Sequence, residues 1–362
     1  MSSENLESKR WLIAIAAIVM QLCLGTVYAW SVFKKPFMTA HGWGETETQV
    51  TFMICIGMIG IAAAFGGTLV DKKGPKFVAT IGGILFGIGT LLAGFADQIG
   101  SIWLLYLGFG FIAGLGNGFG YITPIATLIR WFPDKRGLFK NPPKGWLPAG
   151  FTPKATGVSA AQSFTFDEAV KTPQWWMLWT MLFLNVSAGL GLISQLSPMA
   201  QDVIKKSDPL LTGAALALAG GSILAYASIF NGLGRLLWAW TSDAIGRKNV
   251  FIIMFITQAV LYVLLPQIDN QLIFTVVACY LLACYGGGFA TMPAFAADSF
   301  GPGYIGKVYG IMLTAWGAAG IVGPLVFAQI KGIAVYVAAA LLIAGFLIAL
   351  SYKRPQPKVA KA

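Results

Sequence analysis

The chain has 362 residues, of which 57% are hydrophobic and only 11% charged, and its mean hydropathy is +0.72. A soluble domain carries about a quarter charged residues, so an ordinary soluble enzyme or nucleic-acid-binding module is excluded and an all-α polytopic membrane protein is expected. The net charge of +11 must then be explained by where the basic residues fall.

In chain order, apolar runs lie near residues 11–33, 50–70, 77–96, 101–129, 174–200, 211–240, 249–266, 272–295, 307–330 and 332–351. Several exceed the roughly 20 residues that cross a bilayer as a helix, and together they predict ten transmembrane helices. A β-barrel would need short alternating strands, whereas these runs are continuous. The first run follows Lys9-Arg10 and has no small-residue cleavage site, so it reads as a retained helix and not as a signal peptide. The 44 glycines favour close helix packing. With a cytoplasmic N-terminus, alternation places most of the 25 Lys and Arg on the cytoplasmic side. They stand at Lys9 and Arg10, at Lys72, Lys73 and Lys76, between Arg130 and Lys171, at Arg247 and Lys248, at Lys307, and in the C-terminal tail. This positive-inside bias predicts cytoplasmic termini and contact with anionic lipid. Nucleic acid is not an expected partner.

The four cysteines, Cys23, Cys55, Cys279 and Cys284, lie in apolar spans without metal-ligand spacing, and His41 is the lone histidine. No hydrolytic triad, phosphate-binding loop or haem motif occurs. No enzymatic activity, metal or cofactor is expected.

The chain repeats itself. GGTLVDKKGPKFV carries Asp71, Gly74 and Lys76; WAWTSDAIGRKNVF carries Asp243, Gly246 and Lys248 in the same register. GNGFGYITPIATL and YGGGFATMPAFAA recur at nearly the same offset, and their helices are expected to end at Pro124 and Pro293. Such parallel repeats mark transporters, and the paired turns read as gating or packing elements. The predicted organisation is an N-terminal half of four helices (1–138), a Pro/Gly/Lys-rich cytoplasmic linker (139–173), a C-terminal half of six helices (174–352) and a tail (353–362). No apolar span lies between Arg130 and Gln174. By the chain's own symmetry, the first half lacks two helices.

SIFNGLGRLLWAW (228–240) places Arg235 inside a span. An arginine there costs about 2.5–3.5 kcal/mol on insertion scales. It stands eight residues before Asp243, about 12 Å along a helix, which is deep for a side chain snorkelling to the interface. All 14 acidic residues lie in tails, loops or span ends. A buried cation needs an anion, and the guanidinium fork matches a carboxylate. Arg235 is therefore a candidate ligand for a small carboxylate. Without a membrane carboxylate or histidine, anion exchange or uniport is favoured, while proton symport through the substrate's own carboxylate stays open. Gln21, Tyr28, Trp30, Asn117, Tyr121, Tyr285 and Trp316 read either as packing and interfacial anchors or, as a set, as the sparse polar lining of a cavity.

LGTVYAWSVFKKPF, GYITPIATLIRWFPDKRG, KNPPKGWLPAG, FNGLGRLLWAWTSDAIGRK and YGIMLTAWGAAGIVGP together resemble the oxalate/formate antiporter family, within the major facilitator superfamily and related to monocarboxylate transporters. The resemblance covers essentially the whole chain. It implies a carrier of the cytoplasmic (inner) membrane working by alternating access, with substrate between two helical halves; a monomer is expected. It implies substrate binding by Arg235, with Tyr28, Tyr121 and Asn231 at the cavity; Tyr285 and Trp316, from the aromatic set above, are the further candidates for its lining. Asn231 stands where monocarboxylate transporters carry an acid implicated in proton coupling. Two departures stand out. Trp316 occupies the place of the antiporter's second cation, a lysine, so the resemblance implies a monocarboxylate such as pyruvate, lactate or formate, with oxalate less favoured. The family's fifth and sixth helices are missing after Leu138, so the alternative reading is a truncated, transport-inactive carrier or a membrane interaction protein.

Overall fold

The computed structural model describes residues 3–131, 163–330 and 332–356. Among these, ten helices are long and apolar enough to cross a membrane. They are α1 (Trp11–Tyr28), α2 (Thr46–Lys73), α3 (Pro75–Ile99), α4 (Ile102–Leu128), α5 (Pro173–Ser207), α6 (Gly213–Ile245), α7 (Arg247–Gln267), α8 (Gln271–Phe300), α9 (Ile305–Phe327) and α10 (Ala334–Ser351). Each predicted span is present, with ends shifted by several residues. Most of the expected linker and the end of the tail lie outside the described residues. So does most of the interval in which two helices were expected to be missing.

The helices fall into two compact units. The first holds α1 to α4 and, from further along the chain, Phe300–Ile321; the second holds Val170–Ser299 and Val322–Gln356. The first stretch of α9 thus belongs with the N-terminal helices, a grouping that chain order alone does not suggest. In the first unit, α4 packs against α1, α2 and α3, and α2 lies along the start of α9. In the second, α5 packs on α6 and α10, and α7 on α10.

Leu22, Leu91, Trp103, Leu236 and Trp240 are all exposed. Such faces suit contact with acyl chains, since long apolar helices satisfy their backbone internally and need no water.

Four local irregularities depart from plain helices. In α1 the helix gives way to a 3₁₀ turn at Gly25–Ala29, followed by a second helix, Trp30–His41. Tyr106–Ala113 in α4 is π-helical, a widening often found at functional positions. In α9 the chain breaks at Leu313 between Ile305–Met312 and Thr314–Gln329. Fourth, the helices expected to end at Pro124 and Pro293 instead continue through both prolines to Trp131 and Phe300. A proline removes one backbone donor, but in an apolar setting hydroxyls and neighbouring helices meet the freed carbonyls. Pro124 frees the Gly120 carbonyl, and the neighbouring Thr123 Oγ1 donates one residue earlier, to the Phe119 carbonyl, at 2.8 Å.

The two repeat turns have matching backbones. Gly74 has φ 85° and ψ 162°, and Gly246 has φ 92° and ψ 148°. Both lie in the left-handed half of φ space, which glycine enters without a Cβ penalty. Each glycine ends one span and starts the next with no intervening loop.

Candidate functional site

Arg235 sits about two-thirds of the way along α6, half-buried, with its guanidinium over the Phe289 ring of α8 at 5.7 Å. Small residues bring the two helices together there. A Cβ on Gly234 would lie 2.5 Å from the Ala283 Cα and collide with its carbonyl. One on Gly286 would strike the Asn231 backbone and side chain. Asn231, one turn before Arg235, has its Oδ1 buried with no hydrogen-bond partner among the described residues. Asn231, Arg235, Gly286 and Phe289 thus share one helix–helix seam. Gly234→Leu is expected to wedge α6 from α8 and displace the guanidinium, costing about 2–3 kcal/mol by overpacking. The check is a lower melting midpoint together with weakened anion binding.

Behind this seam runs a buried polar network. Tyr285 is fully buried, its ring against Gly189 of α5. The Tyr285 carbonyl accepts from Asn185 Nδ2 at 3.5 Å, and Asn185 Oδ1 accepts from Gln258 Nε2 at 3.1 Å. Tyr262 Oη donates to the Ala188 carbonyl at 2.8 Å. These bonds join α5, α7 and α8 and fix the rotation of α8, and with it the ring of Phe289.

In the first unit, Tyr121 and Trp316 come together, with ring centroids 5.1 Å apart and both rings buried. Trp316 lies just past the break at Leu313, to whose carbonyl its backbone N–H donates at 3.0 Å. Tyr28 is half-buried in the 3₁₀ turn of α1. Asn117 of α4, read in sequence as a possible cavity residue, donates to the Leu24 carbonyl at 2.9 Å and so supports that turn.

The two repeat turns share a backbone but not their contacts. A side chain on Gly306 would strike the Asp71 carboxylate, at 2.5–2.9 Å. Asp71 is thereby set against the first turn of α9, where a helix N-terminus favours negative charge. Lys76 is exposed. In the second repeat, Asp243 is bonded to Arg247, which occupies the position of Pro75. Arg247 is buried and also contacts Ser242, the Ala239 carbonyl at 3.4 Å and, through Nε, Asp298 Oδ2 of α8 at 3.3 Å. Lys248 Nζ donates to the carbonyls of Leu350 (2.8 Å) and Tyr352 (3.0 Å), closing the end of α10. The Arg247–Asp298 pair was missed in sequence because the repeat puts proline opposite Arg247, so the register carries no signal for it.

Among the described residues, the second unit holds a cation within a span on an aromatic face, the first holds a paired aromatic contact, and each carries a charged turn at its helix ends. The Major Facilitator Superfamily model matches residues 11–139, 138–324 and 219–362. The oxalate:formate antiporter of Oxalobacter formigenes is 27% identical over 371 residues, covering 89% of this chain and 85% of that protein. Monocarboxylate transporter 13 of Rattus norvegicus is 33% identical over 134 residues, covering 35% of this chain and 29% of that protein. The crystal structure of the E. coli fucose:proton symporter superposes with a TM-score of 0.62 at 14% identity, over 96% of this chain and 99% of that one, a likeness of fold. The family match spans essentially the whole chain, and the chain belongs to the Major Facilitator Superfamily, as a multi-pass membrane transporter and not an enzyme.

Proposed function

We propose that this protein is a secondary carrier of small organic anions, with monocarboxylates such as pyruvate, lactate or formate as its substrates and Arg235 as the group that binds the carboxylate. The observation that carries this reading is the guanidinium held inside the span of α6 over Phe289. The ring face holds the cation in orientation through its quadrupole. The guanidinium fork matches a carboxylate in both charge and shape. The likeness to an oxalate:formate antiporter and to a monocarboxylate transporter supports the substrate class.

Trp316, packed on Tyr121, supports a site for one carboxylate, because it stands where a two-cation site would place its lysine. Alternating access would move the N-terminal half (1–138) and the C-terminal half (174–352) about the bound anion, with the turns at Asp71-Gly74-Lys76 and Asp243-Gly246-Lys248 as its gating elements. The cytoplasmic membrane, with both termini on the cytoplasmic side, is the location that the basic-residue distribution supports.

The test is uptake of labelled pyruvate, lactate, formate and oxalate into proteoliposomes. Saturable uptake that prefers a monocarboxylate is expected; preference for oxalate would reject the one-carboxylate site. Trp316→Lys is expected to raise the oxalate-to-pyruvate uptake ratio about tenfold, the value of one added charge-assisted contact. Trp316→Gln serves as the control for lost packing, and an equal shift in both variants would remove the argument.

A further inference from the structure

A second site lies in the first unit. A groove of about 710 Å³ runs along the exposed face of α2, walled by Ile61, Phe65 and Leu69, by Phe119 of α4 and by Ile311 of α9. The α2 residues recur every four positions and so share one face. At one end stand two cations, Lys72 and Lys307. They lie at the same level, because Asp71 abuts Gly306, each adjacent in sequence to one of the lysines.

The charges are confined to the mouth. From Lys72 back to Ile61 the helix extends about 16 Å at 1.5 Å per residue, close to half of the ~30 Å hydrocarbon core. The groove therefore has the depth of one leaflet, apolar along its length and basic at headgroup level. Lys307 is steadied by the Phe166 ring, 5.3 Å from its Nζ. Asp71 lies at the same level, against the first turn of α9, and two lysines to this one carboxylate leave the mouth net positive. A free small anion would gain nothing from the apolar walls, and a neutral acyl chain would gain nothing from the lysines. A ligand with both parts uses the whole groove, and basic pockets between membrane helices are known to take anionic headgroups.

We propose that this groove binds one anionic phospholipid, with an acyl chain along Ile61, Phe65 and Phe119 and its phosphate between Lys72 and Lys307. The site is separate from Arg235 and does not depend on which substrate is carried.

The test is native mass spectrometry of the full chain released from detergent, with equal amounts of dioleoyl phosphatidylglycerol and dioleoyl phosphatidylcholine added. One phosphatidylglycerol adduct is expected, retained about tenfold over phosphatidylcholine on the strength of two lysines near the headgroup. Lys72→Gln with Lys307→Gln is expected to bring the two lipids to parity, whereas Lys205→Gln with Lys206→Gln keeps the preference. Ala64→Trp, which fills the groove and leaves both lysines, is expected to abolish the adduct and so guards against a misfolded double variant. Excess glycerol 3-phosphate is expected not to displace the lipid. Equal retention of both lipids by the unaltered chain would overturn the proposal. So would a preference that survives in the double variant, displacement by glycerol 3-phosphate, or a chain dimer in place of the adduct.

Discussion

Arg235→Ala is expected to lower the initial rate of monocarboxylate uptake at least ~100-fold, since removing one partner of a desolvated, hydrogen-bonded charge pair costs about 3–5 kcal/mol. Arg235→Lys keeps the charge but loses the planar fork, and a loss of about tenfold is expected. Phe289→Leu removes the ring beneath the guanidinium and is expected to cost about 0.5–2 kcal/mol, or some 2- to 30-fold. The graded order of these three variants is the informative result. A purely structural arginine would instead show Arg235→Lys near the unaltered rate and Arg235→Ala failing to reconstitute. Measuring uptake on matched amounts of monodisperse, reconstituted protein separates the two outcomes.

The second large effect is on stability. Arg247 is buried, and its partners divide by exposure: the Asp298 side chain is 13% exposed and that of Asp243 40%. Asp298→Ala leaves the guanidinium short of its more deeply placed counter-charge, and a cost of about 3–5 kcal/mol is expected. For a protein of this size that corresponds to a melting midpoint lower by roughly 4–7 °C. Asp243→Asn is expected to cost less, because a partly exposed pair gains less from its Coulomb attraction. Replacing Arg247 and Asp298 together, by Met and Ala, is expected to cost less than the sum of the single changes, because the buried guanidinium is removed along with its more deeply placed counter-charge. A thiol-reactive dye reads the transition directly through Cys55, Cys279 and Cys284, which are buried until the helices part. Equal midpoints for Asp298→Ala and the unaltered protein would show that the pair holds nothing together.

The ten membrane-length helices were legible because apolar length is a strong signal that needs no knowledge of partners. The repeat turns were legible for a similar reason: Gly74 and Gly246 sit at helix junctions, and glycine there implies positive φ. The irregularities were not. Nothing in YLGFGFIA separates a π-helical segment from an α-helix, because the extra residue per turn is set by packing. Pro124 and Pro293 suggested helix ends by the rules of soluble proteins, which an apolar environment relaxes.

The candidate site divides in the same way. Arg235 stood out because a charge within an apolar span is costly, whereas Phe289 is one of 25 phenylalanines and only the fold puts it beneath the guanidinium. Tyr285 and Trp316 were singled out as aromatic residues in glycine-rich spans. The fold seats Tyr285 against Gly189 and Trp316 against Tyr121, contacts between elements far apart in sequence that composition cannot pair. The groove between α2 and α9 was invisible for the same reason, since Lys72 and Lys307 are brought to one level only by the contact of Asp71 with Gly306.

The central claim, that Arg235 binds a carboxylate during transport, is tested most directly by counterflow. Proteoliposomes preloaded with unlabelled pyruvate are diluted into labelled pyruvate, with the unaltered protein and Arg235→Ala compared at equal reconstituted amounts. The account predicts transient accumulation of label by the unaltered protein and a trace indistinguishable from protein-free liposomes for Arg235→Ala. Equal accumulation by both proteins would contradict the role of Arg235. No accumulation of pyruvate, lactate, formate or oxalate by the unaltered protein would contradict transport itself and leave a transport-inactive member of the superfamily.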